Sequence, residues 1–406
     1  MLSRCKGLAV LAALLVSLSA CAAPASSAPQ TQTAPVSSSA PSGESKPEPA
    51  PRLNVTAGAE SLEVAPGADD ADAVITVTSL EALPAFASSP DAKISITDSA
   101  GNAAFDGTAA ELQDFIPARN GDYRYTVADG TGGETLVYRF TARFVLPVKV
   151  ELQNDFAALG EVIAIHAYYA DGVELSATTD LNFQPTFYDN GDSQLALLPI
   201  HYATQPDVYN LSITAGEQQF NYLITVNDRE FEVQHLTVDE DTTANTVGSD
   251  AANREWDEKI EPLKRVSDPQ QYWDGPFLQP VQGKITTEFG MIRYTNGSTV
   301  ASRHSGIDIA AAAGTPVAAA GSGRVLFADF IQLTGNTVII EHGFGVKSWY
   351  YHMQSLDVAE GDMVKQGDPI GKVGSTGFST GPHLHFCMSV NNVFTNPWTA
   401  FEQGIG

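Results

Sequence analysis

The sequence predicts an all-β protein with little helix, in which two β-sandwich modules precede a C-terminal domain of antiparallel strands. Short runs of alternating apolar and polar residues, separated by Gly, Asp, Asn and Pro, fill the chain from about residue 53 to residue 228. Glycine-rich turns and β-branched runs continue through the last third of the chain. A length of 406 residues, 43% of them hydrophobic, leaves room for several separate cores.

A weak internal repeat predicts the two modules. Segments of similar pattern recur about 85 residues apart, and they are residues 121–127 with 134–141 and residues 207–213 with 219–226. Tyr123 and Tyr209 hold equivalent places in these two units. Immunoglobulin-like sandwiches often have a buried tyrosine at the same place, near the penultimate strand. We therefore predict immunoglobulin-like sandwiches at residues 53–145 and 146–228, and no catalytic group in either.

The N-terminus predicts a secretory signal. Arg4 and Lys6 precede an apolar run, residues 7–18, that is too short to span a bilayer. The following Leu-Ser-Ala-Cys resembles the bacterial lipobox, in which the cysteine is acylated after cleavage. We predict a lipoprotein signal peptide at residues 1–20 and lipidation of Cys21. An ordinary signal peptide, with Cys21 as an unmodified bystander, is the alternative.

Residues 21–52 are rich in Pro, Ser and Ala and have no hydrophobic periodicity. Such a segment cannot bury enough apolar surface to fold, so we predict a disordered tether. With a lipid anchor, the protein would be exported and held on the outer face of the cytoplasmic membrane. Cys5 would be lost with the signal peptide, which leaves Cys21 and Cys387 and hence no disulfide framework.

The formal net charge of −26 lies mainly upstream of the last domain. Residues 275–406 contain seven Lys/Arg and nine Asp/Glu, a net charge of −2, so −24 belongs to the rest of the chain. This acidity argues against a nucleic-acid partner, because phosphate binding needs a basic surface. Residues 229–274 are predicted to form an acidic linker, with one short amphipathic helix at residues 250–265.

Five residues of the C-terminal part have the chemistry of a metal site, and they are His304, Asp308, His352, His383 and His385. Zinc accepts imidazole and carboxylate ligands, and three protein ligands with an open fourth position make a zinc site catalytic. Alternate side chains of a β-strand share a face about 6.8 Å apart, so His383 and His385 are predicted to face one groove. Gly306, between His304 and Asp308, and the β-branched Ile307 and Ile309 favour an extended segment that enters a strand. Even spacing again places the histidine and the aspartate on one face. The pattern predicts a zinc hydrolase.

The stretch from residue 283 to residue 397 resembles the M23 (LytM/lysostaphin-like) peptidoglycan endopeptidases. The motif order H-x-x-x-D, Y-x-H and H-x-H is the same. Further similar segments surround it, and they are residues 287–290, 314–317, 323–325, 335–343, 361–371 and 396–397. The resemblance implies an antiparallel β peptidase domain at residues 275–406 with peptidoglycan as its substrate.

Carried over by position, the resemblance implies that His304, Asp308 and His385 bind one zinc ion and that His352 and His383 are catalytic. Zinc lowers the pKa of bound water from 15.7 toward about 7. A nearby imidazole can take the proton and later give it to the leaving amine. The sequence leaves open which of the two catalytic histidines is the base and which stabilises the oxyanion.

Three further residues of the C-terminal part could contribute to the site or to its support. Tyr294 is a candidate for an extra oxyanion hydrogen bond, which a tyrosine supplies in some relatives. His342, at a predicted strand end, is expected to be structural. Cys387 stands where the family commonly has an acidic residue and shares the histidine face by strand parity, so its thiolate could approach the metal. A small buried apolar side chain is the favoured interpretation of Cys387.

We therefore expect a membrane-anchored zinc metalloendopeptidase that faces the cell wall and hydrolyses peptide cross-links of bacterial peptidoglycan. The alternative is a catalytically silent LytM-type scaffold or activator of another cell-wall hydrolase, but such proteins typically lack one or more of the five residues. A biotinyl or lipoyl carrier, whose turns residues 361–371 resemble, has no use for the histidines. If the upstream segment keeps the enzyme latent, removal of residues before Gly275 should raise activity. The cleaved bond and any partners in cell division or wall synthesis stay open.

Overall fold

The computed structural model describes residues 51–68, 72–130 and 134–406, which form mainly β-strands. The predicted all-β class with little helix is confirmed. The predicted signal peptide, Cys21 and nearly all of the tether lie outside the described residues. Within the part of the chain that is described, no helix has the length and hydropathy needed to cross a bilayer.

The first module packs two sheets around one hydrophobic core. Its eight strands are β1 (Leu53–Ala57), β2 (Glu60–Val64), β3 (Val74–Val77), β4 (Ala85–Phe86), β5 (Lys93–Thr97), β6 (Ala103–Thr108), β7 (Gly121–Asp129) and β8 (Leu136–Phe144). One sheet has the order β2-β1-β4 and the other β3-β8-β7-β5-β6. Buried and exposed residues alternate along β1, as expected where one face of a strand lies on the core.

The second module is a similar two-sheet sandwich with its own core. Its strands are β9 (Lys149–Leu152), β10 (Phe156–Ala158), β11 (Val162–Tyr168), β12 (Leu175–Thr179), β13 (Tyr188–Asp189), β14 (Gln194–Pro199), β15 (Val208–Ala215) and β16 (Gln218–Asn227). The sheet orders are β10-β16-β15-β12 and β13-β14-β11-β9.

The two tyrosines of the sequence repeat make the same local contact. Tyr123 donates its hydroxyl to the carbonyl of Arg119 at 3.1 Å, and Tyr209 donates to the carbonyl of Gln205 at 2.8 Å. A tyrosine bonded to the backbone a few residues upstream is typical of immunoglobulin-like sandwiches. The assignment of both modules to that fold stays a prediction.

The C-terminal domain is an antiparallel β structure that also includes the preceding segment. Its elements are β17 (Val233–Leu236), α1 (Glu240–Asn245), α2 (Asp250–Lys259), β18 (Lys284–Thr287), β19 (Ile292–Thr295), β20 (Ser302–Arg303), β21 (Ile307–Ala310), β22 (Pro316–Ala318), β23 (Gly323–Ile331), β24 (Gly335–Gly343), β25 (Val346–Met353), β26 (Ser355–Leu356), β27 (Met363–Val364), β28 (Pro369–Lys372), β29 (His383–Val390), β30 (Val393–Thr395) and α3 (Pro397–Glu402). The main sheet has the order β18-β21-β29-β25-β24-β23-β27, with β30 beside β29.

The segment predicted as a linker is folded onto this domain. Strand β17 pairs in parallel with β19, and Ile260 is fully buried beside Trp349. The predicted helix over residues 250–265 is interrupted, because α2 ends at Lys259 and a 3-10 turn, Glu261–Arg265, follows. Pro262 in that turn lacks an N–H, which prevents a continuous α-helical hydrogen-bond ladder.

The second sandwich and the C-terminal domain share a hydrophobic core. Leu195 and Leu197 of β14 belong to the same buried cluster as Trp273 and Phe344. Tyr188 stacks on Phe344 with ring centroids 4.8 Å apart. A shared apolar core holds the two modules in one fixed arrangement.

A buried ion pair fastens the folded segment to the β24–β25 hairpin. Lys347 Nζ lies 3.0 Å from Glu341 Oε2, and neither side chain is exposed. Lys347 also donates to the carbonyl of Val266, while Glu341 accepts from the backbone N–H of Asp268 at 3.2 Å. Asp268 in turn binds the guanidinium of Arg324. Since loss of one partner would leave an uncompensated buried charge, this contact is costly to break.

His342 lies in the core of the domain, as the sequence interpretation expected. Its Nδ1 donates to the carbonyl of Ser322 at 2.8 Å, and its Nε2 lies 2.8 Å from Ser348 Oγ. Burial lowers the pKa of His342 from 6.5 to about 4. No described contact links His342 to the metal-site residues.

We predict that His342 makes the domain less stable in acid. The unfolded chain takes up the proton near the ordinary pKa and the folded chain only near pH 4, so the free energy of unfolding falls as pH drops through this window. The loss is about 3 kcal/mol, since each pKa unit is worth about 1.4 kcal/mol. Urea unfolding of the His342→Gln variant should show a flatter pH dependence than wild type, with a substitution of the exposed His235, His235→Gln, measured beside it as the control. Equal slopes for His342→Gln and wild type would contradict this account.

Candidate metal centre

Neighbouring strands place the predicted ligands side by side. In the main sheet β29 lies between β21 and β25, and His385 is the cross-strand partner of Asp308 on one side and Tyr351 on the other. His304 lies between β20 and β21, and a bend at Gly306 separates it from β21, so only the Asp308 end of the predicted extended segment is in a strand. The centre therefore stands on rigid backbone within a hydrogen-bonded sheet.

Three donor atoms converge at this point. His304 Nε2 lies 2.9 Å from Asp308 Oδ1 and 2.9 Å from His385 Nδ1, and His385 Nδ1 lies 2.7 Å from Asp308 Oδ1. All three residues are buried. Two imidazole nitrogens and one carboxylate oxygen form a ligand set that suits a divalent transition metal.

The remaining nitrogens of the two histidines are already engaged. His304 Nδ1 donates to the carbonyl of Glu288 at 3.0 Å. His385 Nε2 lies 2.9 Å from Cys387 Sγ and 3.3 Å from Ser305 Oγ, which leaves Nδ1 to face the cluster. Each histidine therefore directs its other nitrogen at the cluster, His304 through Nε2 and His385 through Nδ1, and such partners are what orient metal-binding imidazoles. The residues present fit a metal ion.

Asp308 is ionised at this site. Burial alone would raise its pKa, but hydrogen bonds and charge interactions with His304 and His385 outweigh burial and hold the pKa of Asp308 well below 3.8. Arg293 Nη2 lies 3.2 Å from the second carboxylate oxygen, Oδ2. One oxygen of Asp308 therefore faces the donor cluster while the other is held by a guanidinium.

Gly306 is required where the ligand segment approaches β29. A Cβ atom at this position would collide with the backbone carbonyl of Phe386 and lie 2.8 Å from Cys387 Sγ. Any larger residue would push the His304–Asp308 segment away from His385. The glycine therefore permits the close approach that brings the three donors together.

His352 reaches the cleft through a local irregularity of β25. The pairing of β24 with β25 shifts between Asn336 and Val338, so an extra residue is present on β25, and His352 has a left-handed φ of 61°. Tyr351 and His352 both line the cleft, although neighbouring residues of a regular strand face opposite sides. His352 Nδ1 donates to the carbonyl of Thr376 at 2.8 Å, and burial lowers the pKa of His352 to about 3.

His383 completes the group. Its Nδ1 donates to the carbonyl of Gly381 at 2.7 Å, and its Nε2 lies 3.8 Å from Asp308 Oδ1. The rings of His352 and His383 are 4.9 Å apart. Because both donate through Nδ1, each can accept a proton at Nε2 beside the donor cluster. The individual roles of the two histidines stay open.

The structure separates the other sequence candidates from the donor cluster. Tyr294 stacks on His235, on the face of β19 opposite Arg293, and does not line the cleft. Cys387 is fully buried and contacts the outer nitrogen of His385, and burial raises the pKa of its thiol. The suggestion that its thiolate approaches the metal is therefore not supported, and a neutral thiol is favoured.

Sequence reasoning missed two residues that hold the ligands in place. Arg293 binds Asp308, and Tyr351 stacks on the ring of His385 at 5.2 Å with an interplanar angle of 11°. The hydroxyl of Tyr351 is buried and has no hydrogen-bond partner among the described residues. Neither residue stands at a ligand-like spacing, so no sequence signal was available for them.

The centre lies in a cleft of about 660 Å³. One wall comes from the folded upstream segment, and its residues are Gln234, Leu236, Val238, Val247 and Trp256. The lining also includes Phe378 and Ser379 from the loop before β29. No residue of 229–274 belongs to the donor cluster among the described residues. The segment narrows the cleft without supplying a ligand.

The antiparallel domain, its convergent donor cluster and its two additional histidines are the features that a metallopeptidase domain requires. Residues 302–397 match the model of Peptidase family M23, so this chain contains a Peptidase M23 domain. The match includes all five residues singled out from the sequence.

Two curated relatives match this chain over about a quarter of its length and over less than a quarter of their own. The DD-carboxypeptidase/endopeptidase Mpg of Neisseria meningitidis serogroup B is 47% identical over 94 residues, which are 23% of this chain and 22% of that protein. The peptidoglycan DD-endopeptidase ShyC of Vibrio cholerae serotype O1 is 45% identical over 96 residues, 24% of this chain and 22% of that protein. The crystallised catalytic domain of lysostaphin from Staphylococcus simulans is 35% identical, with a TM-score of 0.27, over 29% of this chain and 90% of that chain.

We predict that His385 is required for metal binding and that Cys387 is not. With zinc as the probe metal, the His385→Ala variant should lose stoichiometric binding because one of three inward donors is removed. The Cys387→Ala variant should keep it, with affinity reduced by no more than about tenfold, since Ser305 remains as a partner for His385. Equilibrium dialysis with metal analysis measures both. Loss of stoichiometric binding in Cys387→Ala would restore the thiolate as a ligand.

Proposed function

We propose that this protein is a zinc-dependent endopeptidase that hydrolyses peptide cross-links of bacterial peptidoglycan. The convergence of His304, Asp308 and His385 beside the free Nε2 atoms of His352 and His383 carries this proposal. Relatives named as peptidoglycan endopeptidases support the substrate class.

His304, Asp308 and His385 would hold the zinc ion. When bound, zinc supplies Lewis-acid polarisation of the scissile carbonyl and acidifies a bound water. The chain's own contribution is proton transfer and orientation. His352 and His383 each accept a proton at Nε2 while Nδ1 stays bonded to a backbone carbonyl, and the protonated imidazole can then donate to the leaving amine or to the oxyanion.

The cleft suits an extended peptide. The donor cluster is part of its lining, and the upstream wall presents apolar side chains such as Val238 and Trp256. A polymer strand can enter such a groove from the side, which an enclosed cavity would prevent. The products of cleavage will identify whether the bond lies in a glycine bridge or between D-alanine and a diamino acid.

We also propose that the protein is exported and anchored through acylated Cys21 on the outer face of the cytoplasmic membrane. The lipobox-like sequence at the end of the signal supports the anchor. A flexible tether of about 30 residues spans about 30 Å on average, which would place the domain among the cell-wall strands. Partners beyond the wall polymer are not proposed.

A catalytically silent scaffold is the second candidate. It is less well supported, because the chain keeps all three donors and both additional histidines, and a scaffold has no need for the strained backbone at His352.

We predict that the full-length protein releases cross-link fragments from purified peptidoglycan sacculi in a chelator-sensitive manner. His304→Ala should abolish release by removing a donor. His352→Gln should reduce the rate by about 10²- to 10⁴-fold while zinc still binds, since general acid–base catalysis contributes on that scale. Muropeptide chromatography and turbidity measure release, and His166→Gln in the second sandwich is the matched control. Stoichiometric zinc binding without cleavage of any wall type would favour the scaffold.

Whether the upstream segment keeps the enzyme latent is better tested by a point substitution than by a truncation. Removal of residues before Gly275 would strip buried Ile260 and Trp273 from the domain, so lost stability would mask any gain in activity. Val247 is 46% exposed and lines the upstream wall, so its side chain can be changed without opening the core.

If the upstream wall restricts access, Val247→Ala should raise the rate of cross-link release and Val247→Trp should lower it. Val300→Trp, at an exposed valine outside the cleft, is the control. Initial rates on sacculi at limiting substrate measure the effect. If Val247→Ala does not raise the rate and Val247→Trp does not lower it, the upstream wall does not restrict access of the substrate to the cleft.

A further inference from the structure

We propose that Gln234 on strand β17 is a positioning residue for the metal ligand Asp308 and acts through Arg293. The inference rests on the proposed metal-dependent function and extends it to a residue outside the matched family region. It concerns three side chains that form a continuous hydrogen-bonded line from the upstream segment to the donor cluster.

Arg293 connects the other two side chains. Arg293 Nε donates to Gln234 Oε1 at 2.9 Å, and Arg293 Nη2 donates to Asp308 Oδ2 at 3.2 Å. Nη2 also lies 3.4 Å from Thr287 Oγ1. The side chains of Arg293 and Asp308 are 18% and 10% exposed, so little water is available to replace these contacts.

The backbone fixes the first step. Gln234 and Arg293 are cross-strand partners in the parallel pairing of β17 with β19. The N–H of Ile292 donates to the carbonyl of Glu232 at 2.8 Å, and the N–H of Val238 donates to the side chain of Asn296 at 2.8 Å. Both ends of β17 are therefore held against the β19 segment.

Arg293 needs such a partner because its side chain is long. An arginine side chain loses conformational entropy when it is fixed, and a second contact on the guanidinium reduces the entropy cost of each further hydrogen bond. With Nε held by Gln234, Nη2 is directed at Asp308 Oδ2. The carboxylate is then turned so that Oδ1 faces His304 and His385.

Gln234 also gives a clean test because it is uncharged. Removal of Arg293 would change both the orientation of Asp308 and the local electric field, and the two effects on a bound cation oppose each other. Replacement of Gln234 by methionine removes the acceptor, keeps the side-chain length and leaves every charge in place. A change in metal affinity would then report orientation.

The experiment is a competition titration of the full-length protein with zinc against a chromophoric chelator. Gln234→Met should bind zinc about three- to tenfold more weakly, less than the roughly 10- to 100-fold cost of losing a direct partner of a ligand. Gln234→Glu restores an acceptor oxygen and also adds a negative charge, so it should bind zinc at least as tightly as wild type. Val233→Met is the matched control, because Val233 lies on the same strand and is 56% exposed.

The outcomes separate the two proposals. Unchanged zinc affinity in Gln234→Met, with wild-type binding intact, would overturn the positioning role and leave the proposed function standing. Absence of zinc binding by wild type would overturn both. Thermal unfolding of the metal-free variants shows whether each one is folded. If Gln234→Met is destabilised, the comparison passes to Gln234→Glu. A loss of zinc affinity in Gln234→Glu as large as in the methionine variant would also reject the role of the acceptor oxygen.

Discussion

The centre of this protein depends on holding two imidazole nitrogens and a carboxylate oxygen within 2.9 Å of one another. Atoms with unshared electron pairs repel one another unless a cation or proton lies between them, so the surrounding structure must hold them in place. The adjacent strands β21 and β29 supply that restraint, because Asp308 and His385 are cross-strand partners. Hydrogen bonds on the outer side of each imidazole complete it.

Two departures from regular backbone serve the same centre. Gly306 lets the ligand segment lie against β29, where a side chain would meet a carbonyl. The bulge in β25 turns His352 to the face that Tyr351 already occupies, at the cost of a left-handed conformation. Strain of about 1–3 kcal/mol persists only where neighbouring contacts determine the backbone, and the Thr376 carbonyl is one such contact.

The upstream chain is part of the centre's support. Strand β17 extends the β19–β20 hairpin and delivers Gln234 to Arg293. The buried Glu341–Lys347 pair and the core shared with the second sandwich hold the segments on either side. The contacts of Asp308 therefore extend beyond residues 302–397, because Arg293, which donates to its Oδ2, lies before this range.

The sequence by itself predicted the all-β class, the imidazole and carboxylate donors of the cluster and the shared cleft of His383 and His385, because strand alternation and side-chain chemistry are local properties. It predicted one helix where Pro262 interrupts the ladder, and it carried no sign of Gln234 or Arg293. Only the tertiary structure decided that β17 pairs with β19 and that a bulge redirects His352. Those outcomes depend on contacts between residues far apart in the chain, which spacing and composition do not encode.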